Sequence, residues 1–201
     1  MYENKENSVF HLTLAAMLMA SGLALPFLTG QIPQIGNMLL PMHLPVLLCG
    51  LVCGWRYGLG VGFVLPIFRY FLFGMPVLFP SGISMAFELA TYGLVIGFLY
   101  AHSRWKCLIA LYRSLIPAML AGRVVWGIVQ LFLLGMDGKV FTWQMFIAGA
   151  FFNAAPGIFL QLILLPFLMA ALNRTGFVKF DFHMMPARKL RSGQKGTENA
   201  R

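Results

Sequence analysis

Three ionisable side chains, Arg69, Glu88 and Arg123, stand inside long apolar runs of the sequence. A charge in hydrocarbon is costly and is retained where it faces a cavity or an opposite charge. His43, Tyr92, Trp126, Gln130, Asn153 and Gln161 add polar or amphipathic groups to neighbouring runs. Glu88, Thr91 and Tyr92 fall at i, i+3 and i+4, hence on one helix face, and Arg123, Trp126 and Gln130 share a face in the same way. If Glu88 neutralises one arginine, the two-pronged guanidinium of the other is free to hold a carboxylate. The competing reading is a buried ion pair with a purely structural role. His43, between Pro41 and Pro45, serves equally well as a ligand or as a cap on broken backbone. Tyr92 and Trp126 are packing or interface residues as readily as ligands, and Gln161 reads as an interhelical hydrogen bond.

Catalytic chemistry is the poorer reading of these residues. Glu88 is the sole carboxylate of the apolar runs that follow the first, so paired-carboxylate and di-metal mechanisms lack a second member. The chain contains no G-x-x-x-x-G-K-[ST], no H-E-x-x-H and no G-x-S-x-G. Cys49, Cys53 and Cys107 form neither a CxxC pair nor a zinc spacing and read as small buried apolar residues. No catalytic residue, metal site or cofactor is expected.

The elements that position these groups must be membrane helices. Of 201 residues, 59% are hydrophobic and 10% charged, too apolar for a water-soluble core of this size. Six apolar segments run over residues 12–28, 38–53, 57–73, 82–100, 108–134 and 142–172. A crossing helix needs about 20 residues, and ten-residue alternating strands of a membrane barrel are absent. The fold class is therefore an all-α six-helix membrane bundle. Gly54-Trp55-Arg56 forms a tight connection between the second and third segments.

The net charge of +9 follows the positive-inside rule. Lys5, Arg56, Arg104, Lys106 and Arg113 flank one set of ends, and the tail adds Arg174, Lys179, Arg188, Lys189, Arg191, Lys195 and Arg201. Opposite connections hold Lys139 beside Asp137 and no other basic residue. Both termini are thus expected in the cytoplasm, with residues 1–10 as a cytoplasmic start, 11–173 as the membrane domain and 174–201 as a basic tail. The tail reads as a topology signal attracted to anionic lipid rather than a nucleic-acid binder. The first segment, preceded by Glu3, Lys5 and Glu6, reads as a retained helix and not a signal peptide.

This orientation puts Arg69 about 6 Å and Glu88 about 9 Å below the outer surface at helical rise, with Arg123 and Asn153 deeper. The outer connections 29–37 and 74–81 are apolar and proline-bearing, as lids over an outward pocket or as headgroup anchors would be. On the first helix Ala16 and Ala20 form a smooth stripe that lets another helix approach, and Gly50, Gly54, Gly58 and Gly62 continue the theme in segments two and three.

Over residues 12–172 the sequence resembles the substrate-binding S components of energy-coupling factor (ECF) vitamin transporters. The resemblance rests on the six spans, the stripe Ala16-Met17-Leu18-Met19-Ala20, and two longer runs. These are Gly36-Asn37-Met38-Leu39-Leu40-Pro41-Met42-His43-Leu44-Pro45 and Met85-Ala86-Phe87-Glu88-Leu89-Ala90-Thr91-Tyr92-Gly93. It implies a bundle that binds a vitamin or related micronutrient near its outer face. It also implies docking, through Ala16 and Ala20, to a transmembrane scaffold (T) subunit carrying two cytoplasmic ATPases. The chain is similar to pantothenate-type members, and the surplus cation suits that anion; folate or a cobalamin-related compound fits nearly as well. Two other classes compete: an autonomous proton-coupled carrier using Glu88, and an intramembrane enzyme.

Overall fold

A computed structural model describes residues 3–28, 41–103, 107–136, 138, 142–149 and 154–174. These form helices α1 (Glu3–Leu28), α2 (His43–Cys53), α3 (Trp55–Phe73), α4 (Ile83–His102), α5 (Leu108–Met136), α6 (Trp143–Ile147) and α7 (Ala155–Arg174), with a short helical turn Leu78–Gly82 leading into α4. The architecture is all-helical among the described residues, because hydrocarbon offers no partner to free backbone groups. Among the described residues, four stretches are long and apolar enough to cross a membrane: Ser8–Phe27, Leu78–His102, Leu108–Met136 and Ala155–Arg174.

Two segments differ from the sequence expectation. Among the described residues, the helical part of the second is the 11 residues of α2, about 16 Å at helical rise. The sixth is described as two helices, α6 and α7, with residues 150–153 outside the described ones. Thr142 caps α6, its hydroxyl accepting from the Met145 N–H at 3.4 Å. Pro156, which has no N–H to give an interior ladder, sits in the first turn of α7.

Helix α4 is the centre, packed against α2, α3 and α5, while α1 lies on α2 and α3, and α7 touches α2 and α5. Leu47, Tyr92, Ile96, Leu111, Leu115, Leu165 and Met169 join α2, α4, α5 and α7 in one cluster. Ala15, Val46, Cys49, Val61, Leu65 and Leu89 join α1 to α4 in a second. The three cysteines are free and buried, two of them in that second cluster, as small apolar residues should be. Outward positions carry bare Phe71, Ile163 and Phe167, a surface suited to lipid.

Close approach depends on glycine. A Cβ on Gly93 would overlap the backbone of Gly58, and one on Gly62 the carbonyl of Leu89. The α3–α4 contact is therefore backbone on backbone, as small residues permit in membrane bundles. Gly54 does something else: at φ 93° it reverses the chain in one residue between α2 and α3. On α1, Ala15 and Gly22 turn inward while Ala16, Ala20 and Ala24 lie exposed four residues apart.

Gly93→Ala should lower the thermal midpoint of the detergent-solubilised chain, with a cost of about 1–3 kcal/mol or more for overpacking. Gly60→Ala, where a Cβ meets nothing within 4 Å, should be neutral or gain up to ~1 kcal/mol in helix propensity. Equal midpoints for the two variants would contradict the packing described.

Candidate substrate-binding site

The centre is the carboxylate of Glu88, buried on α4 and surrounded from three helices. Its Oε1 lies 3.0 Å from Nη1 of Arg123 on α5, and the Tyr92 hydroxyl, one turn along α4, donates to the same oxygen at 2.9 Å. Nε2 of His43, the first residue of α2, stands 3.4 Å away but off the hydrogen-bond line. The rings of His43 and Tyr92 pack with centroids 5.2 Å apart. Room for Tyr92 comes from Gly122, beside Arg123, because any Cβ there would overlap the tyrosine ring. A charged pair removed from solvent survives when geometry and added hydrogen bonds offset desolvation, and here one oxygen collects two donors.

The pairing is incomplete on the cationic side. Nε and Nη2 of Arg123 are buried with no hydrogen-bond partner among the described residues, as are Nδ1 of His43 and Oε1 of Gln130. Gln130 lies two turns beyond Arg123 on α5. Buried donors left unmet are expensive, so the arginine offers two nitrogens to an acceptor that the described residues do not supply.

Of the expected site residues, the structure brings Glu88, Arg123, Tyr92 and His43 together. The count from helix ends placed Arg123 well below Glu88, but the arginine's long side chain closes that gap. Arg69 goes elsewhere: its Nη1 donates to the Leu23 carbonyl at 3.1 Å, and its guanidinium lies 5.9 and 5.7 Å from the ring centres of Phe27 and Phe73. It ties α3 to the end of α1, and among the described residues it forms no ion pair with Glu88. Trp126 packs on α6 and its exit, stacked 6.3 Å from Phe146 and in the space left by Gly149. Thr91 spends its hydroxyl on the Phe87 carbonyl at 2.8 Å. Gln161 is buried with Nε2 unpartnered among the described residues; the α5–α7 hydrogen bond runs from Tyr112 to the Leu162 carbonyl at 3.0 Å. Asn153 and the connection 29–37 lie outside the described residues.

The connection 74–81 divides its surface. Leu78 and Pro80 are half-buried, and the turn they belong to rests on α3, α4 and α5. Met75, Val77 and Phe79 are exposed, so this segment has one side for the bundle and one for the headgroup zone. An apolar recess of about 350 Å³ lies between α5 and α6, lined by Val124, Leu131, Trp143 and Phe146 and by none of the Glu88 group. Gly122 and Phe146 were not singled out in the sequence; the glycine next to an intramembrane arginine was the available signal.

Glu88→Gln and Arg123→Leu should each destabilise the solubilised chain by about 3–5 kcal/mol, because each leaves one buried partner stranded. The double variant should cost less than the sum, a coupling measurable by unfolding in a double-mutant cycle. Strict additivity would show that the two groups are not paired.

A family model described as ECF transporter, substrate-specific component, matches residues 10–170. No curated protein and no solved structure gave a match. The matched span runs from α1 to α7 and includes the whole Glu88 group. The chain belongs to the substrate-specific components of ECF transporters, a family of membrane transport subunits.

Proposed function

We propose that the protein binds an anionic vitamin or related micronutrient on the outer side of the membrane and passes it inward with partner subunits. The observation that carries this reading is Arg123, whose charge is half committed to Glu88 while Nε and Nη2 remain buried and unmet. An acidic ligand group on that free edge would complete a charge-assisted fork. Gln130, with its buried Oε1, would accept from a hydroxyl or amide farther along the same ligand. His43 and Tyr92 hold the carboxylate in place, Trp126 and Asn153 serve as further ligand contacts, and Arg69 acts from α3. Pantothenate, an acid with hydroxyls and an amide, suits this set first; folate and cobalamin-related compounds follow.

The remaining assignments form one scheme. Six crossings place both termini in the cytoplasm, with residues 11–173 in the membrane and 174–201 as a basic tail. ATP hydrolysis belongs to two cytoplasmic ATPases joined through a T subunit. The exposed faces of Ala16 and Ala20, continued by Ala24, give α1 a smooth outer stripe for that subunit.

Reconstituted with T and ATPase subunits, the chain should take up its vitamin only with ATP. Ala16→Trp and Ala20→Trp should reduce uptake by about tenfold or more while changing ligand affinity by less than about twofold, since binding and docking use different helices. Uptake by the chain alone, driven by a proton gradient and lost in Glu88→Gln, would overturn this reading in favour of an autonomous carrier.

A further inference from the structure

At the end of the bundle where α4 stops and α5 begins, a recess of about 420 Å³ opens beside Leu99, His102, Ser103, Ile109, Ala110 and Arg113. It lies at the opposite end of α4 from Glu88, and none of its lining belongs to the Glu88 group. Arg113 is exposed and forms no ion pair among the described residues. Ser114 does not compete for it, because its hydroxyl is turned back onto the Ala110 carbonyl at 2.8 Å. His102 does not compete for it either, because its Nδ1 is turned onto the Phe98 carbonyl at 2.9 Å. A phosphate is an anion that a guanidinium fork is well suited to hold.

The surroundings decide where that phosphate comes from. Ile109, Arg113, Ile116, Leu120 and Val124 follow one another at helical intervals of three or four residues, and all five are exposed. In a membrane-embedded helix this stripe faces acyl chains, with a single cation at one end. The same end carries the α2–α3 reversal, where Arg56 lies 5.2 Å over the exposed Trp55 ring, an arrangement at home in the headgroup zone. The backbone of Trp55 meets α4 at Gly97, just over one turn before His102, which sets the recess at headgroup depth. We propose that this recess binds the phosphate of an anionic phospholipid on Arg113, with the acyl chain laid along Ile116, Leu120 and Val124. The site holds one lipid against the α4–α5 junction, apart from vitamin binding and apart from the α1 stripe.

The test uses the full chain in detergent, titrated with phosphatidylglycerol or phosphatidylcholine and read by native mass spectrometry. One phosphatidylglycerol should be retained per chain, phosphatidylcholine much less, and retention should fall about tenfold in Arg113→Gln, the loss of one charge-assisted contact. Arg56→Gln, which removes a neighbouring surface charge, should leave it unchanged. Arg113 is on the surface, so its variant should fold, and an unaltered thermal midpoint checks that. Equal retention of the two lipids, equal loss in both variants, or no loss in Arg113→Gln would overturn the proposal. Displacement of the lipid by millimolar inorganic phosphate would also overturn it, because the stripe would then contribute nothing.

Discussion

A carboxylate buried in a bundle whose outer surface is lipid has nowhere to place its charge except on other side chains. Glu88 is in that position at 2% exposure, and its partners arrive from α2, α4 and α5. An ion pair has a preferred distance and direction, so it fixes the rotation and depth of each helix that contributes to it, which greasy contacts alone do weakly. The glycines of α3 and α4 then set how near the central helix can be approached from the other side. Together they make α4 the rigid axis of the molecule.

Much of this was legible in residue types. A lone glutamate and two arginines in apolar runs had to be paired or to line a cavity, and Glu88 with Arg123 is such a pair. Which arginine it would be was not legible, because counting depth from helix ends ignores the reach of a guanidinium. Nothing in one sequence marks Leu23 and the rings of Phe27 and Phe73 as the place where Arg69 goes. Helix existence was readable from hydropathy, the second segment was visibly short, and Pro156-Gly157 marked a place where the sixth would kink or loosen; the exact helix ends were not readable, since apolar residues fill helices and turns alike. Gly54 illustrates the same limit: grouped with the packing glycines, it is instead the positive-φ residue of a reversal.

The three features of interest occupy separate surfaces. The Glu88 group sits inside the bundle, the alanine stripe faces out from α1, and the Arg113 recess lies at the far end of α4. This separation suits a subunit of an ECF transporter, which holds its substrate in one place and meets the energy-supplying partners in another. Arg123 stands between structure and the proposed function: one nitrogen pairs with Glu88, and the other two are buried without a partner among the described residues.

The most direct measurement is mass spectrometry of small molecules released from the detergent-purified chain and from Arg123→Lys. The lysine keeps a cation for Glu88 but lacks the two-pronged edge. The account expects an acidic, vitamin-class compound in about equal amount to the wild-type protein, and its loss from the folded variant. The same compound retained by Arg123→Lys, or an empty wild-type chain that stays silent to a vitamin panel in calorimetry, would contradict it.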